Sequence, residues 1–269
     1  MLKYFKTLTL FVLFFLSGQS LWAKVYVISD IDDTIKKAYT ANGGLPQLYH
    51  FFRKRIFPEM RDLYGELEEV YEKLGEEVEF HYVSAAPDWS FNQQKWLAKH
   101  NFPAGTDRLK RKGDGDTYTY KTNVITKILE QASPRDTIYL FGDNSSKDPI
   151  VYKEVTEKLG LVNSFIYIRD VKTEATYWSD VLPVRQLEGV TYFFSERDLV
   201  NNDGLFFLSS ELIQKIEASY DDRSLVPSYS QKQLEKRLRK EWGCGLNFNC
   251  RCIAKDNAEK FWDDYHNRY

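Results

Sequence analysis

Three carboxylates within four positions, Asp30, Asp32 and Asp33, follow directly on the apolar run Val25-Tyr26-Val27-Ile28-Ser29. The run is rich in β-branched and aromatic residues and reads as a buried strand whose end opens into a site. Asp30 and Asp32 share a side of an extended chain, and carboxylates that close repel unless a cation or a shared proton holds them. A divalent metal is the simplest occupant. The competing reading is an acidic turn that caps the next helix. Elements further along the chain decide between the two.

Those elements alternate. Ile35 to Gly75 reads as mostly helical, with Leu63, Leu67, Val70, Tyr71 and Leu74 at helical spacing. A second strand, Val78 to Val83, breaks at Ser84-Ala85-Ala86-Pro87, and Phe91 to His100 reads as a helix. Lys110 to Asp116 is a Gly-rich, charged loop, and Lys121 to Gln131 resumes a helix. A third strand, Thr137 to Phe141, ends abruptly in Gly142-Asp143-Asn144, and Ile150 to Leu159 is helical again. Strands at Ser164–Ile168 and Val190–Phe194 complete the series, and no internal repeat is present. Such alternation predicts an α/β fold with a doubly wound parallel sheet covered on both faces. Ligands of these sheets bind beyond the carboxyl ends of the strands. The unusual chemistry sits at those ends: Asp30 and Asp32, then Ser84, then Asp143. That coincidence favours a site over a cap.

At 269 residues the chain can bury a sizeable core, and 43% hydrophobic content with a formal charge of -2 excludes a disordered polyelectrolyte. The near-neutral balance gives no support to nucleic-acid binding, and no protein partner is indicated. At the N-terminus, Lys3 and Lys6 precede the apolar run Leu8 to Leu16 and the small-residue stretch ending at Ala23. This pattern predicts a secretory signal over 1–23, and so an exported protein of the periplasm or extracellular space. Two of the 37 basic residues lie in that segment, against 39 acidic ones in all, so the mature chain is mildly acidic. Cys244, Cys250 and Cys252 lie near the C-terminal end, and an oxidising compartment predicts one disulfide closing a small loop from Cys244 to Cys250 or Cys252. Residues 24–220 are expected to form the main domain and 221–269 a helical extension carrying these cysteines.

The pattern Asp-x-Asp-x-Thr at one strand end, Ser at another, a Lys opening a helix and Gly-Asp-x-x-x-x-Asp at a third resembles the haloacid dehalogenase superfamily of aspartate-nucleophile phosphatases. Within it, the chain is similar to the catalytic domain of the actin-patch-type phosphatidate phosphatases. The resemblance rests on Asp30-Ile-Asp-Asp-Thr-Ile35, Phe57-Pro-Glu-Met60, Tyr82-Val-Ser-Ala-Ala-Pro87, Gly142-Asp-Asn-Ser-Ser-Lys-Asp-Pro149 and Tyr167-Ile-Arg-Asp-Val171. It implies a small helical cap inserted after the first strand, at 35–75, and Mg²⁺ as cofactor. It implies Asp30 as nucleophile and Asp32 as general acid and base. Asp30, Asp143, Asp148 and the Asp32 carbonyl would ligate the metal, and Ser84 and Lys121 would bind phosphoryl oxygens. Each role also makes physical sense alone. A carboxylate attacking phosphorus splits hydrolysis into two displacements, and a hard cation lets the two anions approach. A second carboxyl serves the leaving alkoxide, and fixed positive charge favours the transition state. Thr34 is expected to support the loop and to take part in substrate binding. Other readings stay open: Ser84 as a helix cap, and Lys127 or Lys112 in place of Lys121. Arg169 and Asp170, at a strand end, read equally as a structural pair or as support for the site.

For the substrate, Tyr49, Phe51, Phe52 and Phe57 beside Arg53, Lys54 and Arg55 would suit a phosphate on an apolar group, with Arg53 as a substrate-binding residue. The same residues also fit a core with a solvated basic face. Lys232, Lys236, Arg237, Arg239 and Lys240, with Leu234, Leu238 and Trp242, read as an amphipathic helix that docks on the body or touches anionic lipid. Three functions follow: a lipid phosphate phosphatase acting on phosphatidate, a phosphatase of soluble phosphomonoesters such as nucleotides and sugar phosphates, and a catalytically silent phosphate-binding module.

Overall fold

The computed structural model describes residues 23–38, 55–87, 92–145, 147–169, 187–193 and 195–221, with scattered positions between 231 and 259. Within these, six strands form one all-parallel sheet. They are β1 (Lys24–Ser29), β2 (Glu77–Pro87), β3 (Gly105–Lys110), β4 (Thr137–Asp143), β5 (Ser164–Arg169) and β6 (Val190–Phe193), in the order β3-β2-β1-β4-β5-β6. The helices are α1 (Pro58–Lys73), α2 (Gln93–Lys99), α3 (Thr117–Leu129), α4 (Asp148–Leu159) and α5 (Ser210–Asp221).

Strand alternation divides the core. Val25 and Val27 of β1, Tyr139 and Phe141 of β4 and Tyr167 of β5 face one apolar cluster, with Leu63, Tyr64 and Leu67 of α1, Trp96 and Leu97 of α2 and Leu212 and Ile216 of α5. Tyr26 and Ile28, Ile138 and Leu140, and Ile166 and Ile168 face the other, with Ile125 and Leu129 of α3 and Val151 and Val155 of α4. Helices thus flank both faces, as a parallel sheet requires. Cys244, Ala254 and Ala258 are buried in the first cluster, so these three residues pack with the body.

The sheet differs from expectation in one strand. β3 falls on residues that alternation does not reveal, because Gly105-Thr-Asp-Arg-Leu-Lys110 is an edge strand with none of its six residues fully buried. Helix α3 starts at Thr117, four residues before Lys121, because the Asp116 side chain accepts from the Thr119 amide and caps it. Residues 31–38 form a turn rather than a helix, and α1, with Pro58 in its first turn, packs as part of the core. Of the expected cap at 35–75, residues 39–54 lie outside the described residues, as do residues 1–22 of the signal expected over 1–23. Among the described residues, no helix is long and apolar enough to cross a membrane.

Candidate active site

The strand order reverses between β1 and β4: β1 leads through β2 to one edge, and β4 leads through β5 to the other. The crevice of such a sheet opens at this point. Asp30 lies immediately beyond β1, its amide bonded to the Phe141 carbonyl of β4 at 2.8 Å, and Asp143 ends β4. Asp148, in the first turn of α4, is brought against β4 by Gly142. A Cβ at Gly142 would lie 2.8 Å from both Cβ and Oδ2 of Asp148.

The three carboxylates converge. Asp30, Asp143 and Asp148 are all buried, and each offers an oxygen within 4.8 Å of the others. Lys121, on the second turn of α3, is 2% exposed; its Nζ lies 2.6 Å from Asp30 Oδ1 and 2.5 Å from Asp148 Oδ1. Burial pushes the Asp30 carboxyl up to about 8, against the pull of Lys121 and with the push of Asp148 and Asp32. Burial also raises Asp143 well above the carboxylate range, helped by Asp148 and Asp30. Burial depresses Lys121, but Asp148 and Asp30 outweigh it and hold the ammonium above its ordinary value. Once its acids ionise, the cluster sets one ammonium against three buried carboxylates and carries excess negative charge, which a cation would offset. The donor set is entirely hard oxygen, so the residues present fit a divalent cation of the Mg²⁺ class.

The other carboxylate of the motif stands apart. Asp32 is absent from the three-carboxylate group; its Oδ1 accepts from Lys36 Nζ at 2.6 Å, and Ser84 Oγ lies 3.5 Å from its Oδ2. Thr34 Oγ1 lies 3.5 Å from Asp30 Oδ2. Ser84 does not cap the helix that follows: Asn92 does, accepting from the Lys95 amide, while Ser84 Oγ accepts from the Ala86 amide. Lys112 and Lys127 are exposed, and neither takes the place of Lys121. The acidic turn at 30–33 caps no described helix, since the next one begins at Pro58.

The structure therefore gathers Asp30, Asp32, Thr34, Ser84, Lys121, Asp143 and Asp148 at one sheet edge. Arg53 and Asp170 lie outside the described residues. Arg169, 1% exposed, pairs with Glu196 at 2.5 Å. Its Nη2 also donates to the Thr34 carbonyl at 3.2 Å, and its guanidinium lies over the Phe57 ring, 3.8 Å from the centroid. It thereby ties the turn after Asp30 to β5. Two of these residues, Lys36 and Glu196, are not among those the sequence motifs point to. The spacing of Lys36 four residues after Asp32 is a usable signal for an ion pair, whereas nothing local announces Glu196.

A comparison with curated proteins finds no match to the chain. The family model of the phosphatidate phosphatase APP1 catalytic domain matches residues 25–170, which is more than half of the chain and includes every residue of the cluster just described. The chain therefore belongs to the phosphatidate phosphatase APP1 catalytic-domain family, a family of phosphoric monoester hydrolases.

Proposed function

We propose that the chain is an exported, Mg²⁺-dependent phosphatase of the haloacid dehalogenase type that hydrolyses phosphatidate or a related lipid phosphate to the lipid alcohol and phosphate. The observation that carries this reading is the meeting of three buried carboxylates, Asp30, Asp143 and Asp148, with one buried lysine at the point where the strand order reverses. The family match supplies the substrate class, and the N-terminal segment supports export.

In this mechanism Asp30 attacks phosphorus, the bond from phosphorus to the lipid oxygen breaks, and that oxygen takes a proton from the Asp32 carboxyl. Asp32 then removes a proton from water. The resulting attack on phosphorus breaks the bond to Asp30 and releases phosphate. Lys121 and Ser84 hold phosphoryl oxygens and offset the charge that grows in each transition state. Asp30, Asp143 and Asp148, with the Asp32 carbonyl, would hold Mg²⁺, which when bound neutralises phosphoryl charge. Thr34 and Arg169 keep the nucleophile's turn in place, and Arg53 is the residue proposed to meet the substrate. Lys232, Glu235, Lys236, Arg239 and Gly245 line one cavity in which Glu235 pairs with Arg239; the two lysines there, with the exposed Leu246 and Phe248, support contact with an anionic lipid surface.

Turnover of phosphatidate in mixed micelles, measured beside a panel of nucleotides and sugar phosphates with Mg²⁺, tests the reading. Preference for phosphatidate is expected; faster turnover of the soluble esters would replace the lipid assignment with the soluble one.

A further inference from the structure

Each aspartate of the Asp30-x-Asp32 pair has a buried lysine of its own. Asp30 has Lys121, which binding of phosphate and metal at the cluster explains. Asp32 has Lys36, which those needs do not explain: Lys36 is fully buried, so its ammonium is closed off from solvent, and its Nζ is bound to Asp32 Oδ1 at 2.6 Å. Burying an ammonium is costly unless it is paired, and a Met or Leu would fill a position flanked by the buried Ile31, Ile35 and Ala38.

The backbone is built to put that ammonium where it is. Asp33 adopts the left-handed conformation, φ 62°, which is uncommon for a residue other than glycine, and its Oδ1 accepts from the Ala38 amide at 2.9 Å. The turn lets the Lys36 amide reach the Ile31 carbonyl at 2.9 Å and the Lys36 carbonyl accept from the Asp33 amide at 2.6 Å. Single bridges join Lys36 to Asp32 on one side and to Ile56 on the other. The lysine is therefore anchored through its main chain on both sides, and its side chain returns to Asp32.

We infer that Lys36 is a positioning residue for the leaving-group step: by holding Oδ1 of Asp32 it keeps this carboxylate out of the Asp30–Asp143–Asp148 cluster and leaves Oδ2, the oxygen facing Ser84, to deliver the proton. Three carboxylates already crowd the cluster, and a bound cation would attract a fourth. A cationic partner fixed at Oδ1 opposes that recruitment. The inference rests on the reading of Asp32 as the acid, and the experiment separates the two.

Proton delivery matters for a poor leaving group and little for a good one. The value of kcat/KM, which reports steps up to formation of the aspartyl-phosphate, is therefore compared for a short-chain alkyl phosphate and for 4-nitrophenyl phosphate, with Mg²⁺. D32N is expected to lose roughly 10²-fold or more on the alkyl ester and less than about 10-fold on the aryl ester. K36M and K36Q should show the same selective loss, K36R should recover most of it, and K36M should add nothing in a D32N background. If D32N loses both esters equally, the acid assignment falls and the role of Lys36 falls with it. If D32N is selective but K36M and K36Q are not, or if K36M and D32N losses add, the inference about Lys36 alone is overturned. Failure of both Lys36 variants to fold, judged by circular dichroism, would make Lys36 a structural residue and overturn it as well.

Discussion

Nζ of Lys121 lies 2.6 Å from Oδ1 of Asp30, although 91 residues separate them. The contact depends on two features of the fold. Strand alternation puts Asp30 on the same side of β1 as Tyr26 and Ile28, the face that α3 and α4 cover. The Asp116 cap then starts α3 early enough for Lys121 to sit on its second turn, beside that strand end. The proposed nucleophile and its counter-charge are thus set by the sheet and by one helix cap, not by a loop.

The charge count of the cluster predicts opposite stability effects at the two ends of this contact. In chelator near pH 8.5, above the raised value of about 8 for Asp30, Asp30→Asn removes a buried like charge from the cluster and should raise the melting temperature. Lys121→Met leaves the carboxylates uncompensated and should destabilise by about 3–5 kcal/mol. Both should lose phosphatase turnover, Asp30→Asn by roughly 10⁴-fold or more, as expected for a nucleophile. Denaturant melts in chelator and initial rates with Mg²⁺ check this; an Asp30→Asn protein keeping a tenth of its turnover, or melting below wild type, would contradict it.

Metal dependence should itself depend on pH. The Asp30 carboxyl is raised to about 8, chiefly by burial, and Asp143 is raised as well. From the unfolded carboxylate range near 4 up to about 8, the metal-free fold keeps protons that the unfolded chain has lost, so this contribution to stability falls as pH rises through that window. Mg²⁺ must displace those protons at the acid end and meets bare carboxylates at the alkaline end. The thermal shift on adding Mg²⁺ should accordingly be larger near pH 8.5 than near pH 6. Equal shifts at the two pH values would refute the buried-carboxylate account of the site.

The Arg169–Glu196 pair makes a separate prediction. Both side chains are nearly inaccessible, 2% and 1% exposed, so removing either partner takes its close counter-charge from a buried ion. Arg169→Met or Glu196→Gln alone should cost about 3–5 kcal/mol, and the double variant much less than their sum. Because Arg169 also holds the Thr34 carbonyl, Arg169→Met should lower turnover even where the protein is folded. Additive losses in urea titrations would show that the two act independently.

The sheet and most of the site were readable from residue order because buried parallel strands are apolar runs, and these runs end in acids. Val25–Ser29 and Thr137–Phe141 announce both themselves and the residues that follow. What escaped depends on partners rather than on pattern. β3 is an edge strand of mixed polarity, joined to β2 so closely at Gly105 that a Cβ there would lie 2.5 Å from the Phe80 carbonyl oxygen; only the neighbouring strand makes it a strand. Lys36 reaches Asp32 through a left-handed turn at Asp33, which helical or strand periodicity does not encode. Glu196 meets Arg169 because β6 lies beside β5, a long-range fact of the sheet.

Gly142 offers the most selective test of the cluster. It sits on β4 one residue before Asp143, and an added Cβ would lie 2.8 Å from Cβ and Oδ2 of Asp148 and from Cε2 of Tyr152. Tyr152 is itself fixed, its hydroxyl donating to the Phe141 carbonyl at 3.0 Å, so Asp148 is the group that must give way. Gly142→Ala should therefore cost about 1–3 kcal/mol by overpacking and raise the Mg²⁺ concentration needed for half-maximal turnover. Gly160→Ala is the control. Gly160 ends α4 in the left-handed conformation, φ 66°, and a Cβ added there would meet nothing within 4 Å, so its replacement should cost about 1 kcal/mol and leave the Mg²⁺ requirement unchanged. A folded Gly142→Ala enzyme with the wild-type Mg²⁺ requirement would remove Asp148 from the proposed metal ligands, and with it the reason for the close approach of α4 to β4.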